Sequence, residues 1–146
     1  MQTHFFVFYY GVLADITPPV ALAEHTFAKQ CATQVTELTS KLGKPTSRVL
    51  DLGCSVGVST QALARWLNHR ADQRAEPRPA LIGLDLSPDM LEVARRKGCY
   101  LGGLFLCDLE DEDAAAEALG HSTFEAAVAV GTFTPNHAGT KSLDAM

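Results

Sequence analysis

The sequence predicts an α/β fold in which a parallel sheet carries helices on both faces. Short apolar runs typical of buried strands alternate with longer segments whose apolar residues recur every three or four positions, as in helices. Each apolar run stops at a Gly or an Asp, which marks where a strand leaves the sheet. A chain of 146 residues, of which 47% are hydrophobic, suffices for about one domain with its own core.

The N-terminal segment, residues 1–17, is aromatic. It holds five of the aromatic side chains of the chain: Phe5, Phe6, Phe8, Tyr9 and Tyr10. We interpret it as a short segment that packs on the domain or frays. The alternative is a flap in which Tyr9 or Tyr10 covers a ligand. A signal peptide is disfavoured because the first Lys or Arg is Lys29, so there is no basic region ahead of an apolar one.

Residues 18–43 predict an N-terminal helical segment, because apolar residues recur at steps of three and four until a glycine ends the pattern. A buried strand over Val49–Leu52 follows. The next helix starts near Ser59 and Thr60. Residues 68–79, with three Arg and two Pro, predict a solvated loop that can extend this helix by a turn.

The second half of the chain repeats this alternation. Ala80–Leu84 predicts the second strand. Ser87 and Pro88 then begin a helix, because a hydroxyl caps the free N–H groups and proline suits the first helical position. The remaining elements are the end of that helix near Lys97, a strand over Leu104–Cys107, a helix over Glu110–Leu119 and a fourth strand over Phe124–Val130.

Charge and cysteine content exclude several classes of protein. The net charge of −5 argues against nucleic-acid binding and against attachment to an anionic membrane. No apolar run reaches the roughly 20 residues of a membrane helix. The four cysteines form no CxxC pair and no metal-ligand pattern, so we expect no metal site. We interpret the cysteines as reduced thiols in a cytoplasmic protein.

The segment from Asp51 to Gly57 is the most informative one. A strand ends in an acid, and a tight turn with two glycines leads into a helix whose first N–H groups are free to meet a ligand. A dinucleotide site would have glycine at Ser55 and Val58, and a P-loop would have a lysine. An acid before the turn suits a ligand with a cationic ammonium group.

These residues, LDLGCSVG, resemble motif I of the class I, Rossmann-like methyltransferases that use S-adenosyl-L-methionine (SAM). Ser55 stands where the motif usually has its middle glycine. The resemblance implies that the cofactor is SAM and that its methionyl end lies over the turn, with Asp51 helping to hold the ammonium group. The turn residues implied in cofactor binding are Asp51, Gly53, Cys54, Ser55 and Gly57.

Three later segments resemble further parts of this family. In LIGLDLSPDMLEVAR, Asp85 occupies the position of the acid that binds the ribose hydroxyls, and Leu86 and Met90 would lie near the adenine or ribose. In LFLCDLED, Asp108 would accept from the adenine amino group, beside the backbone of Leu109. The segment FEAAVAVGTFT is similar to the fourth strand and the loop at the methyl-transfer end. Glu125 stands where the family usually has an acid before this strand, and Gly131, after the strand, is implied in cofactor binding.

The resemblance covers residues 44–139, which correspond to the N-terminal half of the family's domain, and leaves a tail at 140–146. It implies a Rossmann-like sheet truncated to about four strands in the order 3-2-1-4. The fourth strand should then be an exposed apolar edge, which a partner or a second copy of the chain could cover.

The function implied is methyl transfer from SAM to a small-molecule acceptor, near a loop from Thr132 to His137. The catalytic residues stay unknown, although His137 is a candidate base. A second reading from a different class is a truncated, non-catalytic SAM-binding module or interaction protein. A third, an NAD-type half-domain, is disfavoured by the glycine pattern.

Overall fold

The computed structural model describes residues 6–9, 20–41, 43, 46–120 and 123–132. This part of the chain forms five strands and four helices. In chain order they are β1 (Phe6–Tyr9), α1 (Val20–Lys41), β2 (Arg48–Leu52), α2 (Val58–Arg74), β3 (Ala80–Asp85), α3 (Pro88–Arg95), β4 (Gly103–Leu106), α4 (Glu112–Leu119) and β5 (Ala126–Val130).

The strands form one parallel sheet in the order β1-β5-β2-β3-β4. The four strands predicted from the sequence are β2, β3, β4 and β5, and their predicted order 3-2-1-4 is confirmed. The chain moves from β2 outward to β4 and then crosses to the other side of β2. The strand order therefore reverses between β2 and β5, which is where open α/β sheets bind ligands.

The expectation that the fourth predicted strand forms an exposed edge is wrong. The N-terminal strand β1 pairs along β5, from Phe6 opposite Ala127 to Tyr9 opposite Val130. Aromatic and β-branched residues favour extended backbone, and the sequence Phe-Val-Phe-Tyr contains nothing else. Covering this edge therefore requires neither a partner nor a homodimer. Tyr9 is the last residue of β1 rather than part of a flap.

Alternate residues of the strands pack into two apolar layers, one on each face of the sheet. On one face, Val49, Leu81 and Val128 pack with residues of α1, α2 and α3. On the other face, Leu50, Ile82 and Ala127 pack with Ala115 of α4. Helices on both faces are thus confirmed, with three on one side and one on the other. Asp51 and Gly83 lie opposite each other in register between β2 and β3.

Helix boundaries differ from the predicted ones by a few residues. Helix α2 continues to Arg74, through half of the segment predicted as a loop. Helix α3 begins as predicted, because the Ser87 hydroxyl accepts from the backbone N–H of Met90 at 3.3 Å. Helix α4 begins two residues later than predicted because the Asp111 side chain caps it, accepting from two backbone N–H groups.

Several predictions fall outside the described residues. These concern residues 1–5 and 10–17, which include Phe5 and Tyr10, the candidate base His137 and the tail at 140–146. In the part that is described, no helix is both long and apolar enough to cross a membrane.

Candidate cofactor site

The turn after β2 is held against the neighbouring strand by backbone hydrogen bonds. The N–H of Cys54 donates to the carbonyl of Leu84 in β3 at 2.9 Å. Within the turn, the N–H of Gly57 donates to the carbonyl of Cys54 at 2.9 Å. Three turn residues have left-handed backbone: Gly53 (φ 67°), Ser55 (φ 50°) and Gly57 (φ 75°). Gly57 is also the N-cap of α2, so the first N–H groups of that helix, which have no partner within the helix, lie at the carboxyl end of β2.

Asp85 links this turn to the start of α3. One carboxylate oxygen, Oδ2, accepts from the backbone N–H of Ser55 at 2.8 Å, and Oδ1 accepts from the N–H of Ser87 at 2.9 Å. An ionised carboxylate offers about four acceptor positions. The two bonds orient Asp85 at the carboxyl end of β3 and leave acceptor capacity for the hydroxyls of a ligand.

Apolar side chains flank this carboxylate. Leu86 is 66% exposed and Met90 is 41% exposed, although both are large and hydrophobic. The Met90 sulfur lies 3.9 Å from the Ser55 hydroxyl, so the start of α3 approaches the turn. Exposed apolar side chains next to a fixed polar group are typical of a ligand pocket.

Asp51, at the end of β2, is buried and lies beneath the turn. Its side chain is 2% exposed, and its Oδ2 accepts from the hydroxyls of Thr60 and Tyr100, the latter at 2.9 Å. Burial, together with the charge of Asp85, raises the pKa of this carboxyl to about 6, against the effect of the two hydroxyl donors. Both donors converge on one oxygen, so neither of them occupies Oδ1.

The residues that follow β5 contact the turn from the side opposite β3. The Thr132 hydroxyl donates to the carbonyl of Leu52 at 2.6 Å, across the point where the strand order reverses. A Cβ on Gly53 would lie 2.5 Å from the Thr132 hydroxyl oxygen. Glycine is therefore required at position 53 by contact as well as by its backbone angle. Gly131, just before Thr132, also has left-handed backbone (φ 70°).

The residues after β4 reach the same end of the sheet. The N–H of Cys107 donates to the carbonyl of Asp85 at 2.9 Å. Asp108 is exposed, and its side chain accepts from the N–H of Glu110 at 2.9 Å, which fixes a tight turn. The Leu109 side chain is 6% exposed and belongs to the core layer around α4, so only its backbone is available to a ligand.

A family model described as "Methyltransferase domain" matches residues 49–146, which is more than half of the chain. The chain belongs to this family. Its members are class I methyltransferases that depend on SAM, which confirms the family and the cofactor predicted from the motifs.

The methyltransferase domain is similar to a curated relative and to solved structures. It is 31% identical over 93 residues to the carboxy-S-adenosyl-L-methionine synthase of Aeromonas salmonicida, with 56% of this chain and 34% of the relative covered. The chain therefore spans about a third of that relative's length.

Two solved structures share the fold. The SAM-bound amino pentose methyltransferase CalS10 of Micromonospora echinaspora has a TM-score of 0.55 at 23% identity, with 90% of this chain and 50% of that one covered. DesVI of Streptomyces venezuelae has a TM-score of 0.50 at 24% identity, with 84% and 42% covered. These likenesses support the predicted Rossmann-like arrangement of strands and helices.

Cys54 is a packing residue in the turn of the methyltransferase domain. It is 6% exposed, and burial together with the charges of Asp51 and Asp85 raises the pKa of its thiol to about 12. A thiol with so high a pKa is protonated at neutral pH and is a poor nucleophile.

Sequence reasoning did not identify three side chains that hold the turn. Thr60, Tyr100 and Thr132 all donate hydrogen bonds to it or to Asp51. Thr60 could have been found, because it lies one turn into the helix that follows the motif. Tyr100 could not, since it stands between a helix and a strand with no recognisable pattern around it.

Proposed function

We propose that the chain binds SAM at the carboxyl ends of β2, β3 and β5 and transfers its methyl group to a small-molecule acceptor. The observation that carries this proposal is the Asp85 carboxylate, which is fixed by the N–H groups of Ser55 and Ser87 beside the glycine turn. We also propose that residues 44–139 make up the binding unit and that residues 18–43 pack on it as a helical support.

The donors and acceptors at this end of the sheet fit the cofactor. The ribose of SAM carries two neighbouring hydroxyls, and a carboxylate can accept from both. Asp85 has the acceptor capacity for this, since in the part of the chain that the structure describes one N–H group bonds to each of its oxygens. Leu86 and Met90 offer exposed apolar surface next to it for the adenine ring. Asp108, exposed after β4, would accept from the adenine amino group.

The methionyl end of the cofactor would lie over the turn. Its ammonium group would be attracted by Asp51, whose Oδ1 is not used by the Thr60 and Tyr100 hydroxyls. The carboxylates of Asp51 and Asp85 give this end of the sheet a negative field, which favours a ligand with a sulfonium cation. When bound, SAM supplies an electrophilic methyl group, and the residues of this chain bind and orient the cofactor.

The acceptor would approach from the end of β5, near Gly131 and Thr132. A small molecule is favoured over nucleic acid because the net charge of −5 provides no general attraction for phosphates. The sugar acceptor named for CalS10, which has a similar fold, agrees with this choice of acceptor class.

Calorimetric titration of the purified chain with SAM tests the binding step. Asp85→Ala removes both ribose hydrogen bonds, so we expect at least about a tenfold loss of affinity, since each bond to a charged group contributes ~1.5–3 kcal/mol. Asp72→Ala is the matched control, because Asp72 is exposed near the C-terminal end of α2 and forms a salt bridge with Arg78, away from the candidate site. Equal affinity in the Asp85 variant, or no saturable binding by a folded wild-type chain, would refute the proposal.

Transfer is tested separately from binding. The chain is incubated with SAM and sets of small amines, alcohols and carboxylic acids, and the demethylated cofactor is measured by mass spectrometry. Saturable binding without turnover on any acceptor would favour the non-catalytic binding module.

A further inference from the structure

Tyr100 contacts the candidate site although no motif includes it. Its hydroxyl donates to Oδ2 of Asp51 at 2.9 Å, and the residue is 9% exposed. Burial and the nearby Asp51 charge raise the pKa of the phenol, so the hydroxyl keeps its proton and remains a donor. A buried carboxylate thus has a neutral donor held against it.

The Tyr100 ring is held in a slot between two glycines. A Cβ on Gly57 would lie 3.0 Å from the ring, and a Cβ on Gly83 would lie 2.8 Å from it. Both distances are too short for an ordinary contact, so the ring fits only because these positions have no side chain. Tyr100 therefore touches the cofactor turn at Gly57 and β3 at Gly83, and its hydroxyl has a fixed position.

We infer that Tyr100 is a positioning residue for the cofactor's ammonium group: with Thr60, its hydroxyl keeps the Asp51 carboxylate ionised and turned so that Oδ1 remains available beneath the turn. This inference rests on the proposed function. Two hydroxyls on a single oxygen restrict rotation of the carboxylate and stabilise its charged form.

The other groups that face Asp51 do not favour its charge. Asp85, at the end of β3, raises the pKa of Asp51. Burial and the Asp51 charge raise the pKa values of three nearby thiols, so these stay protonated and bring no charge of their own: they belong to Cys31, Cys54 and Cys99. Among these described neighbours, the hydroxyls of Thr60 and Tyr100 are the groups that lower the pKa of Asp51.

The test compares SAM affinity between pH 5.0 and 7.5 for wild type and Tyr100→Phe, which keeps the ring but loses the donor. Because the Tyr100 hydroxyl lowers the pKa of Asp51, its loss should raise that pKa by about one unit. If binding needs ionised Asp51, affinity rises with pH in both proteins. The loss of affinity in the variant should then fall from about ninefold at pH 5.0 to about twofold at pH 7.0.

Asp51→Asn provides the background control. In that background the Tyr100→Phe change should weaken binding by the same factor at every pH, because the group that Tyr100 contacts no longer titrates. A ratio independent of pH in the wild-type background overturns the inference while SAM binding itself supports the proposed function. A folded wild-type chain that binds no SAM overturns both.

A second measurement applies if circular dichroism shows that Tyr100→Phe does not fold. Tyr9→Phe and Tyr10→Phe leave Tyr100 as the one tyrosine, which is then replaced biosynthetically by 3-fluorotyrosine. Fluorination makes the phenol a stronger donor with little change in size. The pH midpoint of SAM binding should move downward, and an unchanged or higher midpoint would contradict the inference.

Discussion

Asparagine in place of Asp51 keeps the shape of this side chain but removes a charge that burial disfavours. The carboxyl group is buried and has a pKa of about 6 in the folded chain, whereas an aspartate in an unfolded chain titrates near ~3.9. The folded state therefore holds the proton more tightly than the unfolded state does. Asparagine still offers a carbonyl oxygen to the hydroxyls of Thr60 and Tyr100.

The sign of the pH dependence follows from this raised pKa. Below about pH 4 the carboxyl is protonated in both states, and its stabilising contribution is fully present. Between about pH 4 and 6 the unfolded state loses its proton first, so the free energy of unfolding falls as pH rises. The difference of about two units corresponds to roughly 3 kcal/mol, as an order of magnitude, lost by the time the pH exceeds the folded pKa.

Urea unfolding followed by circular dichroism, without SAM and at several pH values from 4 to 8, measures this effect. Relative to wild type, Asp51→Asn should gain roughly 3 kcal/mol between pH 4 and pH 8, because other titrating groups cancel in the difference. In the control, Asp72→Asn, the Arg78 partner lowers the pKa of the carboxyl, so the trend should have the opposite sign. A pH-independent difference for Asp51→Asn would refute the reasoning.

Two further predictions concern backbone and capping. Gly57→Ala should destabilise the chain more than Gly98→Ala. Both positions have left-handed backbone, which costs about 1 kcal/mol for alanine. A Cβ on residue 57 would also press on the Tyr100 ring, whereas a Cβ on residue 98 would meet no described atom within 4 Å. Equal losses in urea unfolding would show that the ring moves freely. Ser87→Ala should cost about 1 kcal/mol, because it removes the acceptor for the N–H of Met90; an unchanged urea midpoint would show that the cap contributes nothing.

Local signals were sufficient for much of the fold and for part of the site. The apolar runs that became β2, β3 and β5 are short and end at Gly or Asp, so their place in a parallel sheet could be read from the sequence. Ser87 and Pro88 begin α3 as predicted, because capping depends on residues that are neighbours in the chain. The position of Asp85 at the end of β3, beside that cap, follows from the same local signals, whereas its role in binding is implied by the family resemblance and stays a prediction.

Non-local contacts were not predictable. Strand β1 pairs with β5 from the opposite end of the chain, and aromatic residues favour a strand without specifying its neighbour. The contact of Tyr100 with Asp51 likewise joins residues that are 49 positions apart. One missed signal was present in the sequence, because Gly83 interrupts an otherwise apolar strand and such glycines often mark close approach of another group.

The departures from local rules support the same location for the site. Ser55 has left-handed backbone although it has a side chain, and Asp51 is a carboxylate in a buried position where its charge is disfavoured. Each departure lowers the stability of the folded chain, and both lie within the turn from Asp51 to Gly57. Neither is needed to build a β-strand, a turn or a helix. A turn that only connected β2 to α2 could place a small apolar residue at 51 and glycine at 55, so the residues present are better explained by a cationic ligand bound above them.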